Sequence, residues 1–260
     1  MDSPSSFLAP NGRLAARIPG WEPRPQQIVM ADLVAAAIDQ KKHAIIEAGT
    51  GTGKSLAYLI PAVLAATADQ AHQEENQPEQ QQQTGHEDQK LEKTNEKRPR
   101  RIVIATHTIA LQEQLVKKDI PVVSAVMPHE FSAVLVKGRG NYISLRRMEL
   151  AKEREGSLFQ YDEEVTELEG LLEWSENTRD GSLADLPKIP RSSVWDEVHS
   201  DSGNCMGRTC PRYNDCHYFA ARRRMNNAQV LVVNHALFFS DLALRRSGVS
   251  LLPEYDIVIL

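Results

Sequence analysis

His43-Ala-Ile-Ile-Glu47 runs without a break into Ala48-Gly-Thr-Gly-Thr-Gly-Lys-Ser55. The first five residues are short and strand-like, and a helical pattern opens at Lys54. A glycine loop between a strand and a helix is the setting in which backbone N–H groups wrap phosphate oxygens. Gly49, Gly51 and Gly53 let the chain close around an anion, and the helix start adds partial positive charge. Lys54 is then placed to reach the β- and γ-phosphates, and the Ser55 hydroxyl to ligate Mg²⁺. Ala48, Thr50 and Thr52 complete the loop, with Ala48 standing where the strict phosphate-loop pattern has glycine. Lys54 and Ser55 are therefore the candidate catalytic residues, and a nucleotide triphosphate with Mg²⁺ the candidate ligand. The competing reading is a glycine-rich turn that binds nothing.

Outward from the loop, strands and helices alternate. Gln26–Asp39 has a helical pattern, with Ile28, Leu33 and Ala36–Ile38 on its apolar side. Pro61 should kink or interrupt the helix that starts at Lys54. Arg101-Ile-Val-Ile-Ala-Thr106 reads as a strand, Ile109–Lys118 as a helix and Ala133–Val136 as a strand. Later come a charged helix over Glu149–Leu172, helices over Tyr218–Asn226 and Leu237–Arg245, and strands at Gln229–Asn234 and Tyr255–Leu260. Continuous apolar strands alternating with helices predict an α/β domain with a parallel sheet covered on both faces. The predicted division is a flexible lead-in over 1–20, a first segment of the α/β domain over 21–138, an inserted cysteine-containing helical module over 139–220, and a return to the α/β domain over 221–260. Within the first segment, 69–99 reads as a disordered insert, because 70–89 alone holds eight Gln and almost nothing to bury.

The chain has 260 residues, 30 Lys+Arg against 35 Asp+Glu, a net charge of −5 and a hydrophobic share of 41%. Enough apolar residues are present for a real core, which excludes a wholly disordered chain. The overall charge attracts no nucleic acid, so any such site must come from local clustering. Residues 151–201 carry 14 acidic and 5 basic residues, a local net of −9. Arg139, Arg146, Arg147, Arg208, Arg212 and Arg222–Arg224 cluster around the cysteine module, among Tyr142, Tyr213, Tyr218 and Phe219. Basic groups with aromatic faces suit single-stranded DNA; the alternative is a solvated charged face. Three cysteines do not make a secreted disulfide scaffold. No apolar run reaches membrane-spanning length. The reading is a cytoplasmic protein that does not enter membranes.

Glu47-Ala-Gly-Thr-Gly-Thr-Gly-Lys-Ser55 resembles motif I of superfamily 2 helicases. Arg24-Pro-Gln-Gln27 resembles their glutamine motif, which implies that the Gln27 amide reads adenine. Ala105-Thr-His-Thr108 and Leu111-Gln-Glu-Gln-Leu115 resemble motif Ia, which implies that Thr106, Thr108 and Gln112 meet a DNA backbone; simple helix capping is the alternative for the threonines. The cysteine string Cys205-Met-Gly-Arg-Thr-Cys-Pro-Arg-Tyr-Asn-Asp-Cys216, with Lys137-Gly-Arg-Gly-Asn-Tyr142 and Val232-Val-Asn-His-Ala-Leu237, extends the likeness to the DinG-type helicases. These belong to the iron–sulfur family that includes the xeroderma pigmentosum group D helicase. The resemblance covers Trp21 to Leu260 outside the Gln-rich insert. It implies a RecA-like motor domain and an ATP-dependent DNA helicase of repair or replication, moving 5′ to 3′ on single-stranded or forked DNA. Single-strand-binding or repair proteins are the implied partners. Arg139, Arg146, Arg147, Arg222 and Arg223 are the implied DNA contacts of the module.

The same resemblance implies a four-cysteine [4Fe–4S] cluster, yet this chain offers only Cys205, Cys210 and Cys216. Ser144 stands where the first cluster cysteine is expected. The outcomes are a cluster with an oxygen or nitrogen as fourth ligand, a labile three-cysteine cluster, zinc using His217, or no metal. The chain stops at Tyr255-Asp-Ile-Val-Ile-Leu260, where the resemblance implies that a DEAH box and a second motor domain follow. One expectation is therefore the first part of a helicase. The other is a non-catalytic module that binds nucleotide and nucleic acid.

Overall fold

The computed structural model describes residues 3–75, 98 and 100–260. They divide into two compact units, one made of residues 1–135 and 228–260, the other of 136–227.

The first unit is built on four parallel strands in the order β2-β3-β1-β4. These are β1 (Ile102–Thr106), β2 (Ala133–Leu135), β3 (Val230–Asn234) and β4 (Ile257–Ile259). β1 lies between β3 and β4, with Ile104 opposite both Val232 and Ile259. Every residue of β1, and Val230–Val233 of β3, is buried, as expected for strands covered on both faces. The helices of this unit before β1 are α1 (Pro4–Leu8), α2 (Pro25–Asp39) and α3 (Lys54–Glu75). α4 (Ile109–Gln114) and α5 (Ile120–Ser124) follow β1, joined through a wider turn over Leu115–Asp119.

Several expectations are corrected here. His43–Glu47 is not a strand of the sheet, and Ile45 is fully exposed. β-Branched residues favour an extended shape, but a strand exists only through a paired ladder, and this segment pairs with none of the four strands. The lead-in is not loose: Phe7, Leu8 and Leu14 are fully buried in the same core as Leu59, Ile60 and Ile104. Three apolar residues suffice to anchor it. α3 runs through Pro61 and continues to Glu75, into the Gln-rich tract; most of the predicted insert, 76–97 and 99, lies outside the described residues. On α2 the buried residues are Gln27 and Ala31, whereas Leu33 is half-exposed.

The second unit holds α6 (Leu145–Glu153), α7 (Glu155–Leu158), α8 (Asp162–Asn177), α9 (Ser192–Val198) and α10 (His217–Asn227). The single charged helix expected over Glu149–Leu172 is three helices, because Phe159 turns inward to join a core of Ile143, Met148, Leu168, Val194 and Trp195. Backbone bonds tie Ile143 N–H to Gly181 C=O and Ser144 N–H to Val198 C=O, which lock the Lys137–Ser144 segment against 180–200. The chain returns to the first unit at β3 and continues into α11 (His235–Arg245). Among the described residues no helix is long and apolar enough to cross a membrane.

Candidate functional site

The glycine loop leads directly into α3. Gly51 and Gly53 have φ of 78° and 80°, a left-handed backbone that other residues adopt at a cost. A Cβ on Gly53 would also lie 2.1 Å from Gln27 Nε2. The loop is held from inside. Lys54 Nζ donates to the carbonyls of Ala48 and Gly49 at 2.9 and 2.8 Å, and Thr52 Oγ1 donates to Gly49 C=O at 3.0 Å. Arg24 donates to Gly51 C=O. Gln27, at the start of α2, donates from Nε2 to Gly53 C=O at 2.8 Å. Gln27 is 3% exposed, and its Oε1 is buried without a partner.

Ser55, the second residue of α3, lies one turn before Tyr58. Burial pushes the Tyr58 phenol up to about 12; the Ser55 contact works against that rise and Asp119 adds to it. Tyr58 is therefore a neutral neighbour of Ser55 at physiological pH.

The predicted motif Ia residues lie at the carboxyl end of β1. Thr106 is buried and its Oγ1 donates to Thr108 C=O at 3.4 Å. Thr108 Oγ1 accepts the Leu111 N–H at 3.2 Å and caps α4. Gln112 is buried. Opposite, Thr106 pairs in register with Asn234, whose side chain accepts the Leu237 N–H at 2.7 Å and caps α11. The two strands thus end side by side, each running into a capped helix. His107 and His235 meet there, with ring centroids 5.8 Å apart. Neither histidine was picked out by the motif reading. The available signal was the repeated pattern of a strand that ends on a polar residue followed by a histidine, in Thr106-His107 and Asn234-His235.

In the second unit, Ser144, Cys205, Cys210 and Cys216 line one cavity with Arg146, Arg147 and others; its volume is about 30 Å³. Ser144 caps α6 by accepting the Arg147 N–H at 3.4 Å. All three thiols are free. Burial raises the Cys205 thiol, but the Gly207 N–H, Arg139 and Arg146 outweigh it and bring the thiol below its ordinary value. The donor types converge on one cavity and suit a thiolate-held centre in their chemistry. Among the described residues no three His, Cys, Asp or Glu side chains stand close enough to share a single metal ion; an iron–sulfur cluster would instead take one thiolate per iron. His217 is not part of this cavity; its ring packs against Gly181, and burial lowers its pKa.

The arginines of this unit fall into two groups. Arg212 pairs with Glu149, and Arg224 with Asp180 at 2.8 Å, so their charges are neutralised. Arg147 instead donates to the carbonyls of His199 and Asp196 at 2.8 and 2.7 Å, and Arg146 to Asn204 C=O. Arg139 lies over the Tyr218 ring, 3.9 Å from its centroid. These partners fix the guanidinium groups without cancelling their charge. Arg223 is exposed, and Arg222 is partly buried beside Met225. Lys137 of the Lys-Gly-Arg-Gly-Asn-Tyr motif bonds Asp180 at 3.0 Å and Ser182 at 2.6 Å, a structural use.

A lysine- and glutamine-buttressed glycine loop at a helix start, with a parallel sheet beside it in sequence, defines a nucleotide-binding class of α/β protein. Comparison with known families narrows this: the DEAD/DEAH box helicase profile matches residues 25–200, and the chain belongs to that family. It is 35% identical over 254 residues to the ATP-dependent DNA helicase YoaA of Escherichia coli, covering 97% of this chain and 34% of that protein. It is 30% identical over 257 residues to YoaA of Haemophilus influenzae, covering 98% of this chain and 35% of that protein. The ATP-dependent helicase DinG of Mycobacterium tuberculosis is 31% identical over 264 residues, covering 94% of this chain and 34% of that protein. The chain therefore spans about a third of the length of these relatives.

Proposed function

We propose that this chain is the first part of an ATP-dependent DNA helicase motor and supplies its nucleotide pocket and part of its DNA path. The observation that carries the proposal is the glycine loop with its two buttresses. Lys54 rests on the loop's own carbonyls in the position from which it would exchange them for β- and γ-phosphate oxygens. Gln27 keeps one buried acceptor, Oε1, unpartnered beside the loop. An adenine 6-amino group would satisfy it, whereas a guanine 6-oxo group would place acceptor against acceptor. Ser55 would give its hydroxyl to Mg²⁺, which supplies charge neutralisation for the phosphates when bound.

The finer assignments rest on the same resemblance. Movement is 5′ to 3′, the substrate is single-stranded or forked DNA in repair, and the compartment is the cytoplasm. Arg139, Arg146 and Arg147, fixed yet not neutralised, are the strongest phosphate contacts in the second unit. Cys205, Cys210 and Cys216 would hold an iron–sulfur cluster, which when bound supplies iron–thiolate cross-links to a segment that contributes nothing to the unit's apolar core. Lys54→Ala in the full-length protein tests the central claim. ATP turnover should disappear while the protein still melts cooperatively, within about 8 °C of the parent for the two loop hydrogen bonds lost, and undiminished turnover would refute the assignment.

A further inference from the structure

The carboxyl end of β1 and β3 carries a row of rings that nothing above uses. Phe238 is buried in α11 and lies 6.2 Å from the Tyr255 ring. Phe239 meets it at 5.4 Å and 64° and is itself 52% exposed. Phe239 meets His235 at 5.9 Å and 65°, and His235 meets the exposed ring of His107 at 5.8 Å and 44°. The row thus runs from the interior to the surface. His235 is pinned by Nε2, which donates to Ala105 C=O at 3.2 Å. Edge-on and tilted contacts of this kind hold rings in place without covering their outer faces.

A single exposed phenylalanine is ordinary on a protein surface. A supported series of three rings at the end of two adjacent parallel strands, where ligands of α/β sheets commonly bind, is a built feature. The first turns of α4 and α11 carry no acidic residue, which leaves their helix starts open to an anion; of the two lysines that follow α4, Lys117 is paired with Glu113 at 3.2 Å and Lys118 is exposed. The polar residues expected to meet DNA here are turned to other work, since Thr106 and Gln112 are buried and Thr108 caps α4. The exposed surface left at this edge includes the rings of His107 and Phe239.

We propose that His107, His235 and Phe239 form a stacking platform for the bases of single-stranded DNA. This rests on the DNA-binding reading above and adds how this edge grips the strand: by base faces, with no preference for sequence. The platform predicts a contrast that phosphate contacts cannot produce. Binding of this chain is measured by fluorescence anisotropy to labelled oligo-dT and to an abasic strand of equal length. Phe239→Ala should weaken oligo-dT binding roughly 5- to 100-fold, the loss expected for one stacked base. Affinity for the abasic strand should stay within about twofold of the parent, and Phe239→Trp should keep the oligo-dT affinity. His107→Ala should act in the same direction as Phe239→Ala. Equal binding of both strands by the parent, or an alanine variant that loses neither or both together, would overturn the platform while leaving DNA binding in place. A parent that binds neither strand would overturn the DNA-binding reading itself.

Discussion

Replacing Gln27 by Ala separates the cost of the loop's architecture from its use. The side chain is 3% exposed; its Nε2 donates to Gly53 C=O at 2.8 Å and its Oε1 is buried without a partner. Without nucleotide, the substitution loses one hydrogen bond, about 1 kcal/mol net, and removes an orphaned carbonyl that costs about 1–3 kcal/mol. Lost contacts of the two methylene groups offset part of that relief. The opposing effects leave the free chain within about 2 kcal/mol of the parent, a shift of less than about 8 °C for a domain of this size. With nucleotide, only the loss remains. One hydrogen bond to the adenine amino group is worth about tenfold in affinity. At a concentration of 100 times the parent's Kd, bound ATP stabilises the parent by about 2.7 kcal/mol; the tenfold weaker variant retains about 1.4 kcal/mol at the same concentration. Thermal melts with Mg²⁺ and either ATP or GTP measure this directly. The variant's ATP shift should fall to about half, and its preference for ATP over GTP should vanish. An unchanged ATP shift, or an unchanged preference, would show that Gln27 only props the loop.

Two further substitutions test other parts of the chain. Asp241 is fully buried, accepts the Leu251 and Leu252 N–H groups at 2.7 and 2.8 Å and pairs with Arg245 at 2.6 Å; Arg245 also holds Glu254 and the Leu252 and Pro253 carbonyls, so Asp241→Ala should cost about 1–3 kcal/mol, mainly by leaving the buried Leu252 N–H without its acceptor, and a loss below about 0.5 kcal/mol in urea unfolding would contradict this. Protein purified without oxygen should be brown, with iron and sulfide in near-equal amounts, and should bleach in air. Ser144→Cys should slow that bleaching, although it sacrifices a helix cap worth about 1 kcal/mol in the metal-free protein. Colourless protein without iron would remove the cluster, and equal bleaching in the variant would remove Ser144 from its fourth corner.

Local chemistry was readable before the fold. The glycine loop announces itself through residues adjacent in sequence, and Gly51 and Gly53 have the left-handed backbone that such a loop requires. Buried strands such as Ile102–Thr106 and Val230–Asn234 were legible for the same reason: a run of apolar, β-branched residues is a property of one segment. His43–Glu47 shows the limit of that signal, since composition encodes an extended shape but not the neighbour that makes it a strand. Phe7, Leu8 and Leu14 show another: three side chains in a Pro- and Ser-rich stretch have no periodicity to detect, yet they fill the core.

The ring platform was hidden by a stricter limit. His107 and His235 meet because Thr106 and Asn234 end neighbouring strands in register, and β3 arrives beside β1 only after the whole second unit has intervened. A parallel sheet requires such crossovers, so its carboxyl edge is always assembled from distant segments. Motif reading locates each strand end and names the polar residue that caps the following helix. It does not say which ends are neighbours, and here adjacency decides the chemistry. The threonines and the glutamine that suggested phosphate contacts are consumed in capping and packing. The residues that directly follow the two strands, His107 and His235, gain a shared surface. A base stacked on this edge therefore meets rings contributed by both segments, and a substitution in either one should be felt in the same base-dependent binding.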